Sequence, residues 1–68
     1  MEIILNNRKE QFPDRSEITV DELLAEKKYT FKFLVVRHND QVVREEDYSG
    51  RLIRQGDKVT VLHLMAGG

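Results

Sequence analysis

The chain of 68 residues has no cysteine. Disulfides and thiolate zinc sites are therefore excluded. No side-chain thiol can act as nucleophile, carry a persulfide or form a thioester. Sulfur chemistry on this chain would have to use another group. The absence also suits a reducing compartment. Proline occurs once and glycine four times, and no linker, repeat or low-complexity tract is visible. Neither sign of charge is in excess, with 11 Lys plus Arg against 12 Asp plus Glu and a net charge of −1. That balance gives no long-range pull toward phosphate backbones, so nucleic acid is not an expected partner. No apolar run approaches a membrane span. The start, Met1-Glu2-Ile3-Ile4, lacks a basic region before an apolar segment, so no signal peptide is expected. The expected place is the cytoplasm, with no membrane partner.

A domain this small buries only about 60% of the surface its unfolded chain exposes. Without disulfides it must rest on one compact core, and a helix packed on a sheet is the economical way to build one. Glu2 to Asn6 reads as a strand that ends in an Asn6-Asn7 turn. A second strand is expected around Lys9 to Phe12, before Pro13-Asp14, with the chain resuming toward Ile18. Met1, Ile3 and Leu5 share one face by the two-residue period. Thr19-Val20-Asp21-Glu22 is a capping box, with Ile18 and Leu23 at the positions of a hydrophobic staple. A helix over Val20 to Lys28 follows. Val20, Leu23, Leu24 and Lys27 form its stripe, and Lys27 and Lys28 complement its negative end.

Phe31 to Arg37 is the strongest strand, apolar on both faces, so periodicity leaves open which face meets the helix. Asn39-Asp40 reads as a hairpin turn and Gln41 to Arg44 as a short returning strand. Arg44 to Arg54 reads as irregular, and Gln55-Gly56-Asp57 as a turn. Lys58 to Leu64 is the last strand, a long-range partner of the first.

No conventional catalytic or metal site emerges from these residues. His38 and His63 lack ligand spacing and read as strand residues at a rim or surface. Asp21 and Glu22 explain themselves as helix-start residues, and Glu45, Glu46 and Asp47 as a solvated loop. No Gly-rich loop joins a strand to a helix, so nothing cradles phosphate. Arg51 and Arg54 read as solvated, with a partner contact as the alternative.

The end of the chain is different. Two terminal glycines arise by chance in roughly 0.5% of chains at about 7% glycine usage. Here they directly follow a strand that reads as part of the sheet. Glycine has no Cβ, so backbone can pass through a narrow channel into another protein's site. Met65 to Gly68, fully extended, reaches roughly 13 Å. The terminal carbonyl is unhindered, but a carboxylate must first become a mixed anhydride such as an acyl-adenylate. Attack by a sulfur donor then leaves a thiocarboxylate, whereas attack by a lysine leaves an amide. Ordering the tail costs about 1–2 kcal/mol per residue, which a docking surface on the folded body must offset. If Val59 and Val61 point to the core, Thr60, Leu62 and Leu64 point away from it. Leu62 and Leu64 then form an apolar patch beside the tail.

Several features together resemble the ThiS family of ubiquitin-like sulfur carriers of bacterial thiamine biosynthesis. They are the first strand closing on Asn6, the helix start Thr19-Val20-Asp21-Glu22-Leu23-Leu24, Asn39 with Val42-Val43-Arg44, Gln55-Gly56-Asp57-Lys58-Val59, and terminal Ala66-Gly67-Gly68. The resemblance runs nearly end to end. It implies an α+β fold, the ubiquitin-like β-grasp, in which a mixed four- to five-stranded sheet packs on one short helix. The chain is then a single domain, 1–68, with 65–68 as a flexible tail.

The resemblance also implies a carrier that is no enzyme and binds no cofactor. A ThiF-like adenylating enzyme consumes ATP to activate Gly68, a sulfur-donor enzyme completes the thiocarboxylate, and a ThiG-like thiazole synthase receives the sulfur. Gly67, Ala66 and Met65 are the implied tail, and Leu62 and Leu64 the implied docking residues. The free carrier is expected to be monomeric. Departures from the family pattern are Asp40 where Asn-Gly is common, His38 at a usually aliphatic position, and the aromatic connection Tyr29-Thr30-Phe31. A carrier for molybdopterin or another sulfurated product, a ubiquitin-like modifier of lysines, and a plain binding module are the alternatives.

Overall fold

A computed structural model of the chain describes residues 1–29 and 33–63. Seven strands and one α-helix are present among them, in the order β1 (Glu2–Leu5), β2 (Arg8–Gln11), β3 (Glu17–Thr19), α1 (Val20–Glu26), β4 (Leu34–His38), β5 (Gln41–Val43), β6 (Leu52–Arg54) and β7 (Lys58–His63). A 3₁₀ turn, Glu45–Asp47, lies between β5 and β6. The main sheet is ordered β2-β1-β7-β4-β5, and β3 and β6 form a second, two-stranded sheet. β1 and β7 run parallel, so the first and last strands are neighbours at the centre. The other ladders of the main sheet are antiparallel. This mixed sheet with one helix is the expected β-grasp architecture.

The two-residue turns are set by local chemistry. Asn6 and Asn7 have φ of 50° and 66°, and Asn39 and Asp40 have φ of 49° and 70°. Positive φ at both central residues suits the right-handed twist of a hairpin, and Asn and Asp tolerate it better than other side-chain-bearing residues. Gly56, at φ 83°, meets the same demand without a Cβ. Its N–H donates to the Glu2 carbonyl at 2.8 Å, and the Ile4 N–H donates to the Asp57 carbonyl at 2.9 Å. The Gln55–Asp57 turn is thereby fastened to β1.

Helix α1 begins as expected. The Thr19 hydroxyl accepts the Glu22 amide at 3.1 Å, and the Glu22 carboxylate accepts the Thr19 amide at 2.9 Å. The Val20 and Asp21 amides donate to the carbonyls of Arg51 and Tyr48, at 3.0 and 3.1 Å. The first three helical amides are thus all satisfied. The segment expected to be irregular supplies two of those acceptors. It also contains β6, whose Ile53 is fully buried opposite Ile18. Three residues are too few for a periodic signal, and a strand that pairs only at long range leaves no local one.

The helix ends earlier than expected. Lys27 is the cap residue and Lys28 turns left-handed at φ 61°. The Lys28 amide bonds the Ala25 carbonyl, and the Tyr29 amide the Leu24 carbonyl at 2.8 Å. That pair of bonds is a Schellman stop. The two lysines therefore lie past the last turn, and Lys27 pairs with Glu10 on β2 at 3.0 Å.

The core consists of Ile3, Leu5, Phe12, Ile18, Val20, Leu23, Leu24, Val36, Val43, Ile53, Val59 and Val61. It sits between α1 and one face of the main sheet. The open question about β4 is settled by its register with β7, where Val36 stands opposite Val61 and Val35 opposite Leu62. Val36 and His38 face inward, and Val35 and Arg37 outward. The strand is shorter than expected. Phe33 lies before it in the left-handed region, at φ 60°. Thr30, Phe31 and Lys32 lie outside the described residues.

Candidate functional site

Of the two phases that periodicity allows, β7 takes the one that turns its valines inward. Val59 and Val61 are buried at 0% and 5% exposure, while Leu62 is 51% exposed. Leu62 therefore lies on the sheet face away from the helix, next to half-buried Val35. Two further exposed apolar side chains are Phe33 and Val42, which the sequence places in strands without showing that they are exposed. Val42 is legible once β5 has a phase, because it alternates with buried Val43. Phe33 is not, since its exposure follows from a left-handed backbone residue that no periodicity marks. Leu64, Met65, Ala66, Gly67 and Gly68 lie outside the described residues.

The start of β7 is held by side chains that replace ordinary ladder bonds. The Asn6 side-chain carbonyl accepts the Val61 amide at 2.8 Å, and its amide nitrogen donates to the Tyr29 hydroxyl at 3.2 Å. The Asn6 backbone amide donates to the Val59 carbonyl at 2.9 Å. On the other side of β7, the Asn39 side chain accepts the Lys58 amide at 2.9 Å. Two turn asparagines thus pin the strand that leads to the chain's end.

His38 differs from the surface position expected for it. It is 6% exposed, on the helix-facing side of β4. Its Nδ1 accepts a hydrogen bond from the Arg51 Nε–H at 2.8 Å, and its Nε2 lies 2.7 Å from the Asp57 carboxylate. Because Nδ1 faces a donor, the ring proton sits on Nε2 and is donated to Asp57. Arg51 also donates to the Gln41 side chain at 2.7 Å. The cluster ties the β4–β5 hairpin to β6 and to the turn before β7.

Burial alone would push the Asp57 carboxyl up. Hydrogen bonds from the Arg54 amide, His38 and Asn39 outweigh that effect and hold it below the usual carboxylate range. Arg54 itself bonds Glu17 at 3.3 Å. Arg51 and Arg54 are therefore occupied within the fold. His63 is exposed at the end of β7.

Among the described residues no group of His, Cys, Asp and Glu could hold a metal ion. A hollow bounded by Val42, Glu46, Asp47, Gly50 and Arg51 lies beside β5. Its one basic group is already committed to His38 and Gln41, and it faces no other functional residue. The face that stands out is the outer surface of β7 and β4 beside the tail. It presents Leu62 and Val35 toward the end of β7 and Arg37 and Lys58 farther back, a surface that suits contact with a partner.

The model of the ThiS family matches residues 3–68. A crystal structure of the thiamine biosynthesis protein ThiS from Geobacter metallireducens is similar over the full length of both chains, with 26% identity and a TM-score of 0.89. A solution structure of a thiamine biosynthesis protein from the same organism matches all of this chain and 88% of its own, with 26% identity and a TM-score of 0.82. A comparison with curated proteins returns no match.

Proposed function

Since the chain belongs to the ThiS family, the sulfur-carrier proteins of thiamine biosynthesis, we propose that its working group is the carboxylate of Gly68. The supporting observation is the exposed outer phase of Leu62 on the strand that runs into Met65-Ala66-Gly67-Gly68. The family role calls for adenylating and thiazole-forming partners. In this reading they are a ThiF-like enzyme and a ThiG-like synthase, met in the cytoplasm by a monomeric carrier.

The chemistry is simple for the carrier and demanding for the partner. The Gly68 carboxylate attacks the α-phosphorus of ATP, displacing pyrophosphate and forming an acyl-adenylate. A sulfide equivalent from the donor enzyme then attacks the acyl carbon. AMP leaves with the C–O bond electrons, and a thiocarboxylate remains. No redox change occurs at the carbon. Gly67 and Gly68 let the backbone enter the narrow site, while Leu62, Leu64, Met65 and Ala66 supply contact that offsets the cost of ordering the tail.

The test is trapping with a thiol-selective alkylating agent after incubation with ATP, the adenylating enzyme and a sulfur donor, followed by intact mass. Alkylation is needed because exchanging oxygen for sulfur nearly matches the mass of a methionine oxidation. The chain has no cysteine, so an adduct mapped to Gly68 and lost on deleting it reports the thiocarboxylate. An unmodified mass, with the enzyme active on its own carrier, would overturn the proposal.

A further inference from the structure

We propose that the adenylating enzyme reads the outer sheet face in two zones, an apolar end beside the tail and a cationic end away from it. Its docking surface would then be apolar near the entrance for the tail and lined with carboxylates farther off. The inference rests on the carrier reading above and adds the chemistry of the partner's surface.

Strand register places the residues. In one row Lys9 on β2, Ile4 on β1 and Lys58 on β7 stand opposite one another. Two residues along β7, Thr60 stands opposite Arg37, which stands opposite Val42 on β5. Two residues further, Leu62 stands opposite Val35. Directly opposed residues share a face. Along β7 this face changes from Lys58 to Leu62 as the chain runs toward its tail. Exposed Phe33 precedes Leu34, the partner of His63, and so lies at the same end.

Lys9, Arg37 and Lys58 are exposed, and none forms an ion pair among the described residues. Of the other cations, Arg15, Lys27, Arg44 and Arg54 each have a carboxylate partner, whereas Arg8 and Lys28, away from this face, form no ion pair among the described residues. Among the described strand residues the carboxylate on the outer face is Glu2, which accepts a hydrogen bond from Gln11. Three cations against one carboxylate thus share this face among the paired strand residues, in a chain whose net charge is −1. Such a separation orients a molecule as it approaches an acidic surface.

The same pattern argues against other occupants. A second copy docked through this face about a two-fold axis would set the cations against cations or against the apolar end, according to the axis direction, and neither arrangement supplies them with carboxylates. A phosphate backbone would leave the apolar end without a role. At about 3.3 Å per residue, Lys58 and Leu62 are roughly 13 Å apart along the strand. The enzyme's carboxylate facing Lys58 should lie about that far from its contact with Leu62.

The test is adenylation by the ThiF-like enzyme of the chain's own host, followed as ATP–pyrophosphate exchange at about 50 and 500 mM salt, a range over which surface charge is strongly screened. For the wild type, KM for the carrier should rise with salt. The double variant Arg37→Glu, Lys58→Glu should raise KM at low salt by about tenfold or more and flatten or invert the salt dependence. Arg37→Gln, Lys58→Gln should fall between, and serves if the reversed variant folds poorly by circular dichroism. Arg8→Glu, Lys28→Glu, an equal charge change off this face, since Arg8 stands opposite inward Leu5 and Lys28 follows the helix cap, should leave KM within about twofold. A KM that responds no more to the reversal of Arg37 and Lys58 than to that of Arg8 and Lys28 overturns the inference and leaves the carrier reading standing. Self-association through the face in sedimentation, abolished by Leu62→Asp, also overturns it. A wild type that is never adenylated, by an enzyme active on its own carrier, overturns the carrier reading and this inference with it.

Discussion

Asn6 does two jobs that pull in different chemical directions. Its backbone takes a left-handed turn conformation at φ 50°, which glycine would adopt at lower cost. Its side chain accepts the Val61 amide and donates to Tyr29, which glycine cannot do. The two contributions separate by substitution. Asn6→Gly keeps the turn but leaves the Val61 amide without an acceptor, and is expected to cost about 1–2 kcal/mol. Asn6→Ala loses the side chain and keeps the backbone penalty, so it should cost about 1 kcal/mol more than Asn6→Gly. Urea unfolding of the three proteins measures both. If Asn6→Gly is as stable as the wild type, the side-chain bonds are not holding β7.

Lys28 shows at the level of an element how the helix is stopped. It occupies the position after the cap, exposed, at φ 61°. The stop works through backbone bonds to Ala25 and Leu24 and needs no side chain there. Lys28→Gly should therefore remove the left-handed penalty and stabilise the domain by about 0.5–1 kcal/mol. For a domain of this size that raises the melting temperature by roughly 2–8 °C. A lower melting temperature for this variant would mean that the lysine side chain contributes more than its backbone costs. The start of the same helix was readable from four residues, because the capping box is local chemistry. Its end was not, because lysine is a poor marker of a left-handed stop.

At the scale of the whole molecule, acid is the informative perturbation. Asp57 joins β4, β6 and β7 through His38 and the Arg54 amide, and its carboxyl is held below its ordinary range by those bonds despite its burial. The Glu22 carboxyl is lowered as well, first by the Thr19 amide and then by Arg15. A carboxyl whose folded pKa lies below its unfolded value binds fewer protons when folded. Its stabilisation is present above the unfolded value, about 3.9 for Asp and 4.3 for Glu, and is lost as pH falls toward the folded value. The contribution of these two groups should thus hold steady down to about pH 5 and decline below about pH 4. Asp57→Asn should lower stability at pH 7 by about 1–2 kcal/mol and flatten the acid decline. Chemical denaturation midpoints at several pH values check both, and an unchanged acid slope would mean that Asp57 does not carry the effect.

The sequence by itself determined what is local or periodic. The capping box, the two-residue phase of β1 and β7, the turn positions at Asn6, Asn39 and Gly56, and the exclusion of thiol chemistry all follow from neighbouring residues. They showed that Leu62 lies opposite in phase to Val59 and Val61, and the burial of those valines then turned it outward. Tertiary structure decided what depends on a distant partner. β6 exists because Ile53 finds Ile18. The inner face of β4 was chosen by its register with β7. His38 is buried because Arg51 and Asp57, brought from two other elements, satisfy both ring nitrogens, and a polar side chain can enter a core only when such partners arrive. The cationic zone was equally hidden, since Lys9, Arg37 and Lys58 are far apart in the chain and become one surface only when three strands align.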